Sequence, residues 1–147
     1  SFANKIPILP IDNLKLLATN LWGSKRAILT FIDAKMSEVY AALYDENLNE
    51  IIPPQNSKPD EFLQKIDQPV IIVGDGAEKY EEIIKQSNID FIVAQPHQHL
   101  DLASTMISIA LQKDEIPKYS FDEIANLEPY YLRKSQAEIE REKKLQN

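Results

Sequence analysis

The chain has 147 residues, 44% of them hydrophobic and 27% charged, with a formal net charge of −7 and no cysteine. A chain of this length can bury roughly 70% of the surface its unfolded form exposes, so one globular core is expected. The lack of cysteine excludes a disulfide framework, a thiolate metal site and cysteine catalysis, and the acidic balance argues against stand-alone binding to nucleic acid, which draws its affinity from Lys and Arg on phosphates.

No apolar run approaches the ~18 residues of a membrane span, and the opening SFANKIPILP lacks the basic and long apolar regions of a signal peptide. A cytoplasmic protein without membrane association is therefore expected. The first residue is Ser1, so a processed or cut piece of a longer protein is expected, although a lost initiator methionine would look the same.

Ile6-Pro7-Ile8-Leu9-Pro10-Ile11 reads as extended, because each proline disfavours helix at its own position and the one before it. Asp12 is placed as the N-cap of a helix whose Leu14, Leu17, Ala18 and Leu21 recur at helical spacing, with Ile11 set to staple to Leu16 and Gly23-Ser24 ending it. Ala27 to Ile32 is apolar or β-branched throughout, and Glu38 to Tyr44 alternates with the period of two that half-buries a strand. Between them Asp33-Ala34-Lys35-Met36-Ser37 is too polar for strand, so a hairpin turn is expected there. Asp45-Glu46-Asn47 turns the chain into a third strand, Leu48 to Ile52, which Pro53-Pro54 should stop.

Pro59 and Asp60 open a short helix to Ile66 with Phe62, Leu63 and Ile66 inward. Val70 to Val73 after Pro69 is a continuous apolar run that suits a strand covered on both faces. Gly74-Asp75-Gly76 then leads into a helix from Ala77 to Gln86, with Tyr80, Ile83 and Ile84 inward and Glu81 and Lys85 paired outside. Phe91 to Ala94 is a further strand. Near Asp101 the last strong helix begins, and Ala103, Met106, Ile107, Ala110 and Leu111 form a one-sided apolar stripe on it. Pro117 to Leu132, with Tyr119, Phe121, Tyr130 and Tyr131, has no clear period and is expected to wrap over the core.

The order of these elements predicts an α/β fold. Three antiparallel strands stand beside two parallel ones in a mixed five-stranded, ribonuclease-H-like sheet with flanking helices, one half of the actin, sugar-kinase and Hsp70 superfamily fold. Val70 to Val73 should run parallel to the first strand of the hairpin.

Ile32-Asp33-Ala34-Lys35-Met36-Ser37-Glu38-Val39-Tyr40 resembles the IDAR-x-GEVY segment of the TsaB (YeaZ) family, and Pro129-Tyr130-Tyr131-Leu132-Arg133 resembles its late P-x-YLR signature. Phe2-Ala3 through Leu14 is similar to the family's connector, and Val73-Gly74-Asp75-Gly76 to its glycine-rich strand end. The resemblance thus covers nearly the whole chain but only the C-terminal part of the family's protein. It implies residues 1–24 as connector from an absent N-terminal domain, 25–133 as the C-terminal domain and 134–147 as a charged tail, in which the basic residues are diluted by Glu138, Glu140 and Glu142. Two departures stand at the turn, Lys35 for arginine and Ser37 for glycine. Ser37 suggests a turn that needs no positive φ, or one with a rebuilt tip.

Candidate sites are few. Asp33, Gly74, Asp75 and Gly76 could form a degenerate nucleotide site, because a GxG turn at a strand-to-helix junction lets backbone amides approach a phosphate. Against this, Asp75 reads as a helix cap and Asp33 and Glu38 as turn and hairpin residues. His97-x-His99 with Asp101 has no third-ligand pattern, so no metal is expected. No nucleophile-elbow set is present.

What the resemblance implies is a non-catalytic partner subunit in making N6-threonylcarbamoyladenosine at position 37 of tRNA. It would pair with a TsaD-like transferase and a TsaE-like ATPase and meet tRNA only through that complex. The chain alone is expected to form a homodimer, since a lone lobe exposes the surface its other lobe would cover. The alternatives are a nucleotide-binding phosphotransferase or hydrolase of the same superfamily, a glycoprotease-like enzyme, and an interaction module that binds through its aromatic tail.

Overall fold

The computed structural model describes residues 4–112 and 118–127. Its centre is the hairpin, β1 (Ala27–Lys35) with β2 (Glu38–Tyr44), and β3 (Glu50–Ser57) extends it to one side. The other side is built by β4 (Val70–Val73) and β5 (Phe91–Val93), giving a five-stranded sheet in the order β3-β2-β1-β4-β5. The first three strands are antiparallel. β4 runs parallel to β1, from Ala27 opposite Val70 to Thr30 opposite Val73, and β5 runs parallel to β4. The expected mixed sheet is therefore present.

Helices cover both faces, and the strand alternation divides the core accordingly. Leu29, Phe31, Val39, Ala41, Leu43, Val70 and Ile72 point to one face. There they meet Phe62 and Leu63 of α2 (Pro59–Leu63), Ala77 of α3 (Gly76–Lys79) and Ile84 of α4 (Glu81–Gln86). Phe31 makes T-shaped contacts with Phe62 and Tyr80, at centroid distances of 6.5 and 6.2 Å. The other face carries Ile28, Ala42, Tyr44 and Val73 beneath Leu14, Leu17, Ala18 and Leu21, which come from α1 (Asn13–Thr19) and the turn after it. Asp12 caps α1 as expected, its carboxylate accepting from Lys15 N–H at 2.8 Å.

Several boundaries differ from the sequence reading. β1 continues through Asp33, Ala34 and Lys35, so the turn is only Met36-Ser37. Lys35, Met36 and Ser37 all have positive φ (63°, 52° and 62°), so Ser37 does not mark a turn free of positive φ. Positive φ at both central residues is what the right-handed strand twist demands of a two-residue hairpin.

Pro53 and Pro54 do not stop β3, which runs on to Ser57. β3 is an edge strand, where a missing N–H can face solvent, and one extra residue on its side, between the pairs Leu43–Ile52 and Ala41–Gln55, absorbs the prolines as a bulge. The helix expected from Ala77 to Gln86 is broken at Tyr80 (φ −109°, ψ 22°), which lets that side chain turn inward.

The largest difference is in α5 (Ala103–Leu111), none of whose residues is buried. Leu102, Thr105, Ile109 and Ala110 are half-buried, while Ala103, Met106, Ile107 and Leu111 of the predicted stripe are exposed. Of the segment expected to wrap over the core, only 118–127 is described. It forms α6 (Phe121–Ala125), capped by Ser120 and contributing no buried residue.

Candidate functional site

The four residues singled out from the sequence come together at the carboxyl ends of the parallel strands β1 and β4, where open α/β sheets offer their crevice. Asp33 lies near the end of β1, and its side chain is only 3% exposed. Its Oδ2 accepts from Lys35 Nζ at 2.7 Å, and its Oδ1 accepts from Lys79 Nζ at 2.8 Å, Lys35 N–H at 3.0 Å and the Tyr80 hydroxyl at 3.1 Å. Three donors thus crowd Oδ1 and one holds Oδ2. The cover over Asp33 is made of long lysine chains that are themselves exposed, so it sits beneath a polar lid rather than in the apolar core.

The electrostatics follow from this geometry. Lys35 first, then Lys79, hold the Asp33 carboxyl far below the usual carboxylate range, against a smaller opposing effect of burial. The bond to Asp33 raises Lys79 in return. Burial, then the bond to Asp33, raises Tyr80. A carboxylate so depressed stays charged at neutral pH and is a poor proton acceptor. That is the opposite of the tuning a general base requires.

Asp75 does not cap α3. It stands at the cap position without a side-chain bond to that helix, and its Oδ1 instead accepts from the Asp33 backbone N–H at 2.9 Å. Gly74 and Gly76 have a packing reason: a Cβ on Gly74 (φ +116°) would lie 2.4 Å from Phe31 O, and one on Gly76 2.7 Å from it. The two glycines let this turn close against β1.

His99, in the 3-10 turn Pro96–His99, fixes the same turn from outside. Its Nδ1 lies 3.1 Å from Gly74 N and 3.2 Å from Gly74 O, and its Nε2 lies 3.0 Å from Ala94 O, so the ring joins the glycine turn to the end of β5. His97 is exposed and does not join it.

Of the other signature positions, Ala34 and Val39 are buried and Tyr40 is half-buried. Glu38 is half-buried, accepts from Asn56 Nδ2 at 2.8 Å through its side chain, and offers its carbonyl to Tyr80 at 3.3 Å. Pro129, Tyr131, Leu132 and Arg133 lie outside the described residues. Sequence reasoning missed Lys79 and Tyr80 as partners of Asp33. The available signal was Asp33-x-Lys35, two residues apart and so on one face of a strand, but nothing local points to a helix more than forty residues on.

Among the described residues no group of three or more His, Asp or Glu side chains is arranged to hold a metal ion, and no helix is long and apolar enough to cross a membrane. A cleft of about 220 Å³ opens at the opposite end of β4 and β5, between Pro69 and Asp90, away from the Asp33 cluster.

No protein-family model matches the sequence, and no curated protein matches it significantly. Solved structures do match. An uncharacterized protein with similarity to peptidase YEAZ from Pseudomonas aeruginosa superposes with a TM-score of 0.62 at 21% identity, over 90% of this chain and 62% of that one. YeaZ from Pseudomonas aeruginosa superposes with a TM-score of 0.53 at 22% identity, over 74% of this chain and 53% of that one. The chain therefore spans less than two thirds of the length of either neighbour. With β4 parallel to β1, the glycine turn wedged against Phe31 and the hairpin at the centre of the sheet, the chain has the YeaZ fold.

Proposed function

We propose that this chain is the C-terminal lobe of a TsaB (YeaZ) family protein and serves as a non-catalytic partner subunit in the threonylcarbamoylation of tRNA adenosine 37. Residues 1–24 would be the connector and 25–133 the lobe itself. The reading is supported by the YeaZ fold together with the IDAR-like hairpin at the centre of the sheet.

The observation that carries the non-catalytic part is the state of Asp33. Four donors from its own chain hold it, three on Oδ1 and one on Oδ2, and two of them are ammonium groups that keep it charged and already paired. Positioned acids, bases or ions must supply several kcal/mol to a rate, about 1.4 kcal/mol for each factor of ten, and a carboxylate already paired with two lysines and held far below its ordinary range is a poor source of it. The net charge of −7 fits a role in which a partner, not this chain, carries the tRNA.

The partners in this reading are a TsaD-like transferase and a TsaE-like ATPase, and the setting is the cytoplasm. The test is reconstitution. The purified chain is mixed with TsaD-like and TsaE-like proteins, complex formation is followed by analytical size exclusion, and threonylcarbamoyladenosine is quantified in tRNA. Co-elution with the TsaD-like protein and a raised modification rate are expected. Absence of co-elution at tens of micromolar, with each protein folded, would overturn the assignment.

A further inference from the structure

We propose that His99 is a proton-operated latch on the Gly74-Asp75-Gly76 turn, its ring holding the Gly74 N–H when neutral and the Gly74 carbonyl when charged. The ring is half-buried beside the ends of the parallel strands β4 and β5. Its Nε2 lies 3.0 Å from Ala94 O. A carbonyl oxygen only accepts, so Nε2 carries a proton and Nδ1 is the nitrogen left to titrate. That nitrogen lies 3.1 Å from Gly74 N, a donor, and 3.2 Å from Gly74 O, an acceptor. In the neutral ring the Nδ1 lone pair accepts from Gly74 N–H. In the charged ring Nδ1–H donates to Gly74 O, and the bond from Gly74 N–H is given up. Each protonation state thus finds its partner on one residue with hardly any movement of the ring, and the bond to Ala94 O persists in both.

Both sides of the latch are anchored. Asn20 Nδ2 donates to the carbonyls of Gln98 and Leu100, on either side of His99, at 2.9 Å each, which fixes the backbone that carries the ring. On the turn, Gly74 O also accepts from Ala77 N–H at 3.2 Å, in the first turn of α3, and α3 ends at Lys79, whose Nζ lies 2.8 Å from Asp33 Oδ1. Asp75 Oδ1 accepts from Asp33 N–H at 2.9 Å. A change of bonding at Gly74 is therefore passed to the Asp33 cluster along two routes. The charged groups around the ring are few. Asp75 follows Gly74 on the turn, His97 and Asp101 flank His99 in the chain, and Asp33, Lys35 and Lys79 are reached through the turn. The end of β5 and the end of α1 bring only uncharged Ala94 and Asn20. Among the described residues no carboxylate pairs with the ring, so a proton gained on Nδ1 meets the Gly74 carbonyl.

Imidazole is the side chain that changes charge between about pH 5 and 8. The latch therefore makes the crevice end of the sheet respond to pH in a range where Asp33, held far below the usual carboxylate values, keeps its charge. Heteronuclear NMR of the 147-residue chain from about pH 5 to 8 reads both ends of it. The chain has two histidines, so His97→Gln leaves His99 as its one imidazole, and His97 is exposed and outside these bonds. In the wild type and in His97→Gln the His99 ring and the Gly74 amide should shift with one midpoint, and the Ala77 and Asp33 amides should follow. The Gly74 amide proton should move upfield as pH falls, because its bond to Nδ1 is lost. In His99→Gln these curves should become flat.

A His99 ring that titrates while the Gly74 amide stays fixed would overturn the latch. So would a ring that keeps one charge across the whole range, or a Gly74 shift that persists in a folded His99→Gln variant. Should His99→Gln not fold, the presence or absence of a shared midpoint in His97→Gln decides by itself. No partner protein enters these measurements, so failure of the reconstitution described above would leave them unaffected.

Discussion

Asp33 is held by more donors than a turn residue needs. An aspartate that only closed a hairpin would accept from its own turn, as Asp33 does from Lys35 N–H; the added bonds from Lys79 and Tyr80 tie the hairpin to the segment that joins α3 to α4. Replacing Asp33 by alanine leaves the Tyr80 hydroxyl with the Glu38 carbonyl at 3.3 Å and releases both lysines to solvent. The expected loss is about 1–3 kcal/mol in urea unfolding, toward the lower end because the ammonium groups regain water.

The pH dependence follows from the same bonds. Because the carboxyl is depressed in the folded state, its contribution is fully present above the ordinary carboxylate value of about 4 and disappears as pH falls through the lower, native value. Lys79 and Tyr80 are raised, so their contribution is present at neutral pH and lost on the alkaline side, above about 10. Stability measured against pH should therefore fall below pH 4, and Asp33→Asn should flatten that limb. An identical acid limb in Asp33→Asn would show that other carboxylates control it.

At the scale of elements, the hairpin tip and the glycine turn hold opposite kinds of backbone demand. Lys35, Met36 and Ser37 adopt positive φ without being glycine, at about 1–2 kcal/mol each for an L-residue. Ser37→Gly should therefore raise stability by about 1 kcal/mol in the same urea assay, and an unchanged or lower midpoint would contradict the positive φ. Gly74 has the reverse requirement. Gly74→Ala would need a Cβ where Phe31 O already lies, and a loss of about 3 kcal/mol or more is expected, read as a lowered Tm or insoluble protein.

Most of the sheet was legible because it rests on local alternation and on apolar runs bounded by glycine and proline. The length of β3 was not, because whether a proline ends a strand depends on which neighbour the strand lacks, and that is a property of the sheet order. Tyr80 broke its helix for a similar reason: it bonds Asp33, which no window around residue 80 contains. In α5 the period marked an apolar side but not its direction. A 3.6-residue stripe states that a helix has an apolar side, while only tertiary bonds such as Thr105 to Asn20 decide where that side points.

For the molecule as a whole, the chain has the YeaZ fold over less than two thirds of the length of its structural neighbours, and its best-formed polar cluster is spent on its own architecture. Gly74-Asp75-Gly76 and Asp33 do meet, as a nucleotide site would require. The glycines, however, are used to close against Phe31, and Asp75 is used to hold the Asp33 N–H. The proposed partner role needs a rigid surface rather than a tuned acid or base, and the bonds around Asp33 supply rigidity. Nucleotide turnover by the isolated chain tests this most directly, measured as ATP and GTP hydrolysis at neutral pH with magnesium for the wild type and for Asp33→Asn. No turnover above buffer is expected in either protein. Turnover in the wild type that disappears in a folded Asp33→Asn variant would contradict it and make Asp33 a catalytic residue of a phosphotransfer enzyme.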